Sequence, residues 1–272
     1  GISDSVSYFN DKKPFLKHLS APLLYNYRVT GKEATRLWQF FNLQQNKQIP
    51  NPMPIFIDKK ELTEKLVKLF NDEKGKLGYV ELIKKLLEKG EDLNNYYLIF
   101  FDVRAKKSKI IDVDFVSNFK YEMNDVKIME VFSLNGHLKA KTKIENNPAY
   151  DKNVWDRASI HAKNVFDFEY KIINQIFNNQ LMPKLSWRRY FDEMEAHRMS
   201  ANTYNQLMRY RKSVYDYVFK SRRQAITKTI FDDIMLKGIL DDIRLDDNGS
   251  NDYSIKAKLN IWFSLYEYFD YT

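Results

Sequence analysis

The sequence predicts an α+β protein, with an N-terminal mixed α/β part containing β-hairpins over residues 1–150 and an all-α part over residues 151–272. Three observations carry this expectation. Hydrophobic residues fill 44% of the 272 positions, 18 Tyr and 19 Phe among them, which is enough for a packed core. Short aromatic and β-branched runs, bounded by polar turns, follow one another between Tyr96 and Ile144, as strands do. From Asn153 onward the apolar spacing lengthens to that of helices. No repeat of 20–50 residues and no low-complexity segment interrupts the pattern.

Thr30-Gly31-Lys32-Glu33 reads as a capping box, so a helix runs from there to about Asn46. Gln48–Phe56 holds three prolines, which forbid helix and favour an extended connector. Asp58 and Glu61 are expected to cap a second helix ending near Asp72. A third spans Gly78–Lys89, with Leu82, Ile83, Leu86 and Leu87 on one side and Gly90 as its stop.

Tyr96–Val103 and Ile110–Val116 are expected strands joined by a polar turn, and Val126–Leu134 is a third. Asn135-Gly136 suits a tight hairpin because both residues tolerate positive φ. The returning strand, His137–Ile144, would place Lys139, Lys141 and Lys143 along one exposed face. The helical part then reads as Val154–Leu181, stopped by Pro183, and Ser186 to about His197. A helix capped by Ser200 follows, then Lys228 to about Leu245 capped by Thr227, and Ile255 to about Tyr268 capped by Ser254.

The chain carries a net charge of +8, which favours an anionic partner. Cysteine is absent, excluding disulfides, cysteine zinc sites and a thiol nucleophile. The longest apolar run, Tyr96–Phe101, is too short to span a bilayer. The opening GISDSVSYF lacks the basic and apolar regions of a signal peptide, so a soluble cytoplasmic protein is expected.

Charge is concentrated in one stretch. RYRKSVYDYVFKSRRQAITK, Arg209–Lys228, holds seven basic residues and one acid, Asp216. Read as one helix, it places Arg209, Lys212, Asp216, Lys220 and Arg223 in a sector about 80° wide. Leu207, Val214, Val218 and Ala225 fall opposite. Arg211 and Arg222 flank the apolar stripe on one edge, Tyr210 and Tyr217 on the other. Four of the twelve arginines lie here, and the planar guanidinium suits bidentate phosphate contact. Arg209, Arg211, Lys212, Lys220, Arg222, Arg223 and Lys228, with Lys139, Lys141 and Lys143, are therefore the candidate nucleic-acid contacts. The next helix carries Asp232, Asp233, Asp241 and Asp242, and packing back against the basic face would neutralise it.

Other chemistry is thinly represented. Asp102, Asp112 and Asp114 on adjacent strands could share a divalent metal, as nuclease carboxylates do. The four histidines form no close metal pair, and no phosphate-binding glycine loop or nucleophile elbow is present. No cofactor, metal or enzymatic activity is expected from these residues.

Several longer stretches share a likeness. PNPMPIFIDKKEL (Pro50–Leu62), NNYYLIFFD (Asn94–Asp102), YRKSVYDYVFKSRRQAIT (Tyr210–Thr227) and YSIKAKLNIWFSLYEYF (Tyr253–Phe269) together resemble the large subunit of type I-B CRISPR interference complexes, the Cascade family. The resemblance implies the central portion of a longer, non-catalytic subunit within an antiviral surveillance complex. Such a subunit sits where the guide's 5′ handle is held. It helps recognise the short motif beside the target, supports duplex opening and recruits a separate helicase-nuclease. Its implied partners are guide RNA, target DNA and the other subunits, with no membrane. Sequence reading falls mainly to guide–target pairing, so the protein needs backbone contacts more than a base code. Two further function classes stand beside this one: a metal-dependent nuclease using Asp102, Asp112 and Asp114, and a purely protein-binding helical module.

Overall fold

A computed structural model describes residues 30–73, 77–102, 109–132, 134, 161–185 and 187–270. The chain divides into two compact units, 1–117 and 118–272, each with an α+β character. The division falls ahead of residue 150 because the strand after Asn118 pairs with one on the far side of that position and so belongs with the helices. The Asn135-Gly136 hairpin and the His137–Ile144 strand lie outside the described residues.

In the first unit, helix α1 (Gly31–Gln45) opens on the expected capping box. Thr30 Oγ1 accepts from Glu33 N, and the Glu33 carboxylate accepts from Thr30 N at 2.7 Å. The proline-rich connector is extended, but it also pairs. Strand β1 (Met53–Phe56) runs antiparallel to β2 (Asn94–Asp102), with Met53 opposite Ile99 and Phe56 opposite Tyr96. Pro54 is tolerated because β1 lies at the sheet's edge. Just before β1, the Asn51 carboxamide donates to Phe101 O and accepts from Phe101 N, replacing ladder bonds that the flanking prolines cannot make. Strand β3 (Lys109–Asn118) completes the order β1-β2-β3.

Helices α2 (Lys60–Asp72) and α3 (Tyr79–Glu88) follow β1. Leu62, Leu66 and Phe70 recur every fourth residue and are buried, as are Val80, Leu82, Ile83 and Leu86 of α3. Phe56 and Tyr96 pack at 5.1 Å, and the Tyr79 and Tyr96 hydroxyls share a buried hydrogen bond. Burial pushes the Tyr79 hydroxyl well above its usual range. Tyr97, Val113 and Phe115 are exposed, Tyr97 meeting Phe115 edge-on. Asp58 does not cap α2. Its carboxylate accepts from the Asn95 side chain, and Lys59 holds the cap position without a side-chain bond.

In the second unit, β4 (Glu122–Lys127) pairs antiparallel with β5 (His161–Asn164), so the expected strand over Val126–Leu134 is shifted toward the N-terminus. Beyond Lys127 the backbone finds side chains instead of a strand: Met129 N donates to Ser264 Oγ and Val131 N to Asn260 Oδ1. The expected long helix from Val154 also gives way, since residues 161–164 are β5. Asn164 ends that strand and caps helix α4 (165–176) by accepting from Asp167 N. A π turn over Glu169–Ile173 sits in the middle of α4. Asn178 and Asn179 at positive φ end it before Pro183 is reached.

Residues 187–195 do not form the expected helix, and only the 3₁₀ turn Ala196–Arg198 is regular. Polar contacts inward take its place. Arg188 Nε donates to both Glu169 oxygens at 2.9–3.0 Å, and Tyr190 donates to Glu169 Oε1 at 2.6 Å. Helix α5 (Ala201–Lys220) is capped by Ser200 as expected, and α6 (Lys228–Arg244) by Thr227. Helix α7 (Asp252–Leu265) begins earlier than the sequence suggested. Ser254 is inside it and donates to Asp242 at 2.6 Å.

The last three helices meet around buried charge. Lys258, fully buried on α7, donates to Asp242 Oδ2 and Asn178 Oδ1, both at 2.6 Å, and to Gly238 O. Burial lowers the Lys258 pKa from its ordinary value, against the pull of Asp242 and Asp241. Asp241, adjacent on α6, accepts from Ser200, Asn202 and Thr203 at the start of α5. Removing one partner of a buried pair leaves the other charged and desolvated. Asp242→Ala is therefore expected to lower stability by about 3–5 kcal/mol, measured by urea unfolding. Lys258→Met combined with Asp242→Leu should cost clearly less than the two single changes together.

Glu169 gives a pH signature. Burial raises its pKa above 4.5, although Arg188 and Tyr190 oppose the shift. Between the unfolded and folded values the native state holds the extra proton, so stability is lost as pH rises through the folded value. Wild type should therefore lose more unfolding free energy than Glu169→Gln between pH 4.5 and pH 7.5. Equal losses would mean that Glu169 stays ionised against Arg188 throughout.

Candidate nucleic-acid interface

The Arg209–Lys228 stretch is not one helix. Helix α5 stops at Lys220, where Ser221 adopts a left-handed conformation at φ 54°. A 3₁₀ turn over Arg223–Ala225 follows, and Lys228 begins α6. Arg222, Arg223 and Lys228 therefore leave the helical sector in which a continuous wheel put Arg223, and Ala225 leaves the apolar stripe. The stripe itself is real within α5: Leu207, Val214 and Val218 are fully buried, and Tyr210 and Tyr217 are buried beside them.

The basic residues then separate by burial. Asp216 gathers three cations: Lys212 at 2.6 Å, Lys220 at 2.8 Å and Arg222 at 4.0 Å. Lys220 has no exposed side-chain surface, and its ammonium lies 5.1 Å from the Tyr215 ring. It is a structural cation, not a surface contact. Lys212 and Arg222 are 47% and 48% exposed. The two exposed members of this cluster lie at the surface beside Asp216, and the third is buried against it.

Arg211 is also turned inward. Its guanidinium donates to Arg189 O and Asp192 O, closing the irregular segment that precedes α5. Burial lowers the Arg211 pKa, with Asp192 and Tyr204 opposing. Arg209 is exposed, its guanidinium 5.2 Å from the Tyr210 ring. Arg223 is exposed as well. Lys228 is half-buried, 3.8 Å from Asp270 and over the Tyr266 ring at 4.1 Å. Lys139, Lys141 and Lys143 lie outside the described residues. The cations that reach solvent around α5 are thus Arg209, Lys212, Arg222 and Arg223.

The acidic helix does not blanket this face. Asp241 and Asp242 are buried toward Ser200 and Lys258. Asp232 accepts from the Trp262 indole. Asp233 approaches the basic side, accepting from Tyr210 and Lys237. Burial opposes its ionisation, yet those bonds, with the field of Arg209, hold its carboxyl below the usual range.

Beyond the end of α5, Arg223 lines a pocket of about 260 Å3 together with Lys120, Glu122, Asn124, Tyr217 and Tyr268. Charge counting along α5 missed Lys120 and Tyr268, which are remote in sequence. The only local signal was Ser221, a short polar residue where a helix could end.

Asp102, Asp112 and Asp114 lie on β2 and β3. Among the described residues no group of three or more His, Asp or Glu side chains is placed to hold a metal ion, so these carboxylates are not gathered into one site. No helix among the described residues is long and apolar enough to cross a membrane. Comparisons with known protein families, with curated proteins and with solved structures find no match for the chain.

The division of the basic residues is measurable. Lys220→Ala removes a buried cation from Asp216 and is expected to cost about 3 kcal/mol of stability. Lys212→Ala, at the surface, should stay within about 0.5 kcal/mol of wild type. Chemical denaturation of the two variants side by side checks both values.

Proposed function

We propose that this chain is a non-catalytic, nucleic-acid-binding portion of the large subunit of a CRISPR surveillance complex, contacting the phosphate backbone of guide RNA or target DNA. The observation that carries this reading is the exposure of four cations along α5 and the turn after it. Lys220 is buried against Asp216, while Lys212 and Arg222 remain at the surface with Arg209 and Arg223 nearby in the chain. Such an arrangement offers ammonium and guanidinium donors to a polyanion without a base-reading code. The four stretches that resemble the Cascade large subunit supply the biological setting: other complex subunits as neighbours, a separate helicase-nuclease recruited for cleavage, and action in the cytoplasm.

A protein-binding helical module is the second reading. Leu236, Leu240 and Ile243 form an exposed apolar row along α6 at i, i+4 and i+7, which favours it.

Fluorescence anisotropy separates the two. Wild type should bind labelled duplex DNA or single-stranded RNA with a log–log salt slope several units steep. Changing Arg209, Lys212, Arg222 and Arg223 to Ala should flatten that slope by about 0.7–0.9 for each phosphate that these side chains neutralise. The absence of binding by wild type at physiological salt would reject the nucleic-acid reading in favour of the module.

A further inference from the structure

We infer that the pocket at the end of α5 is a single-nucleotide site, with a preference for guanine over uracil. The inference rests on the reading of the chain as nucleic-acid-binding and extends it from backbone contact to capture of one nucleotide.

The pocket volume, about 260 Å3, lies just below the range of drug-sized cavities and suits one nucleotide better than two. Its walls are held from behind. The Tyr217 and Tyr268 rings each lie 5.9 Å from Phe168, and each also packs on Phe269. Their hydroxyls share a hydrogen bond at 3.3 Å. Ser221 Oγ accepts from Lys120 N at 2.8 Å, which fixes the floor between α5 and the approach to β4. A site with walls set in advance loses little freedom when it is filled.

The chemistry is divided in the way a nucleotide requires. Arg223 and Lys120 line the pocket and supply two cations for a phosphate. Met123 and Val165 add apolar surface for a base, beside the tyrosines. Glu122 and Asn124 lie on β4, where the ladder is irregular between Glu122 and Val126. That irregularity allows three consecutive residues, Glu122 to Asn124, to line the same pocket, which regular alternation would prevent. A carboxylate only accepts hydrogen bonds. Guanine presents an N–H and an amino group on one edge, whereas uracil presents one N–H between two carbonyls. Glu122 therefore favours guanine and repels the uracil carbonyls.

Calorimetric titration with GMP, UMP and inorganic phosphate tests the inference. GMP should saturate the wild-type protein and bind at least about tenfold more tightly than UMP, the value of one charged hydrogen bond. Inorganic phosphate should bind more weakly than either. Arg223→Gln should weaken both nucleotides at least about tenfold, and Glu122→Gln should bring GMP down to UMP. Both side chains are exposed, and unchanged thermal unfolding would show that the variants fold. A guanosine-containing RNA hexamer that competes with GMP assigns the site to a polymer strand, and a hexamer that fails to compete overturns the polymer assignment. No saturable GMP binding, or GMP binding untouched by Arg223→Gln, overturns the inference. GMP binding by wild type without duplex binding would overturn the backbone-contact reading alone, and duplex binding without GMP binding would overturn the pocket alone.

Discussion

A lysine buried beneath a helix is the constraint on which the second unit depends. Lys258 cannot hold its charge out of water unless Asp242, Asn178 and Gly238 O surround it, and those groups come from α6 and the turn after α4. Satisfying Lys258 therefore fixes α7 against α6 and α6 against the end of α4. Asp241, next to Asp242, extends the network to the first turn of α5 through Ser200, Asn202 and Thr203. Apolar packing around Ile234, Met235 and Ile261 supplies the non-directional part of the stability, and the polar network selects the register.

The same network decides which charges face water. By sequence, residues 229–272 carry nine acids against four basic residues and look like an acidic counterpart to the basic stretch before them. In the fold, Asp241 and Asp242 are consumed internally, and the other acids of α6 are tied to Trp262, Tyr210 and Lys237. The basic stretch is trimmed as well: Lys220 serves Asp216 and Arg211 serves two backbone carbonyls. The charge left on the surface is smaller than the sequence total and differently placed. It lies on the exposed side of α5 and around the turn that follows.

Much of this was legible in the residues. The α+β class, the Thr30, Ser200 and Thr227 caps, helices α1, α3, α5 and α6, and strands β2 and β3 follow from capping chemistry and local periodicity, and those signals act over a few residues. The misread elements depend on distant partners. His161–Asn164 reads as helix until β4 is placed beside it. Residues 187–195 carry a helix-like pattern, but their Arg and Tyr side chains are needed by Glu169 in the π turn of α4. For the candidate site, the wheel located the buried stripe of α5 correctly. It failed past Lys220 because a left-handed serine was treated as one more helical step. Nothing local announces that Lys220 is buried. Asp216 four residues earlier and Tyr215 beneath it indicate this only once the direction of packing is known.

Burial sorts the cations of α5 into a structural set and a solvent-facing set, and the solvent-facing set is the proposed nucleic-acid contact. Lysine footprinting by reductive methylation and mass spectrometry, on wild-type protein with and without saturating duplex DNA, tests it most directly. The account predicts that Lys212 is labelled in the protein alone and protected by DNA, while Lys220 stays unlabelled in both. Labelling of Lys212 that DNA leaves unchanged, or labelling of Lys220 at the same rate as Lys212, would contradict it.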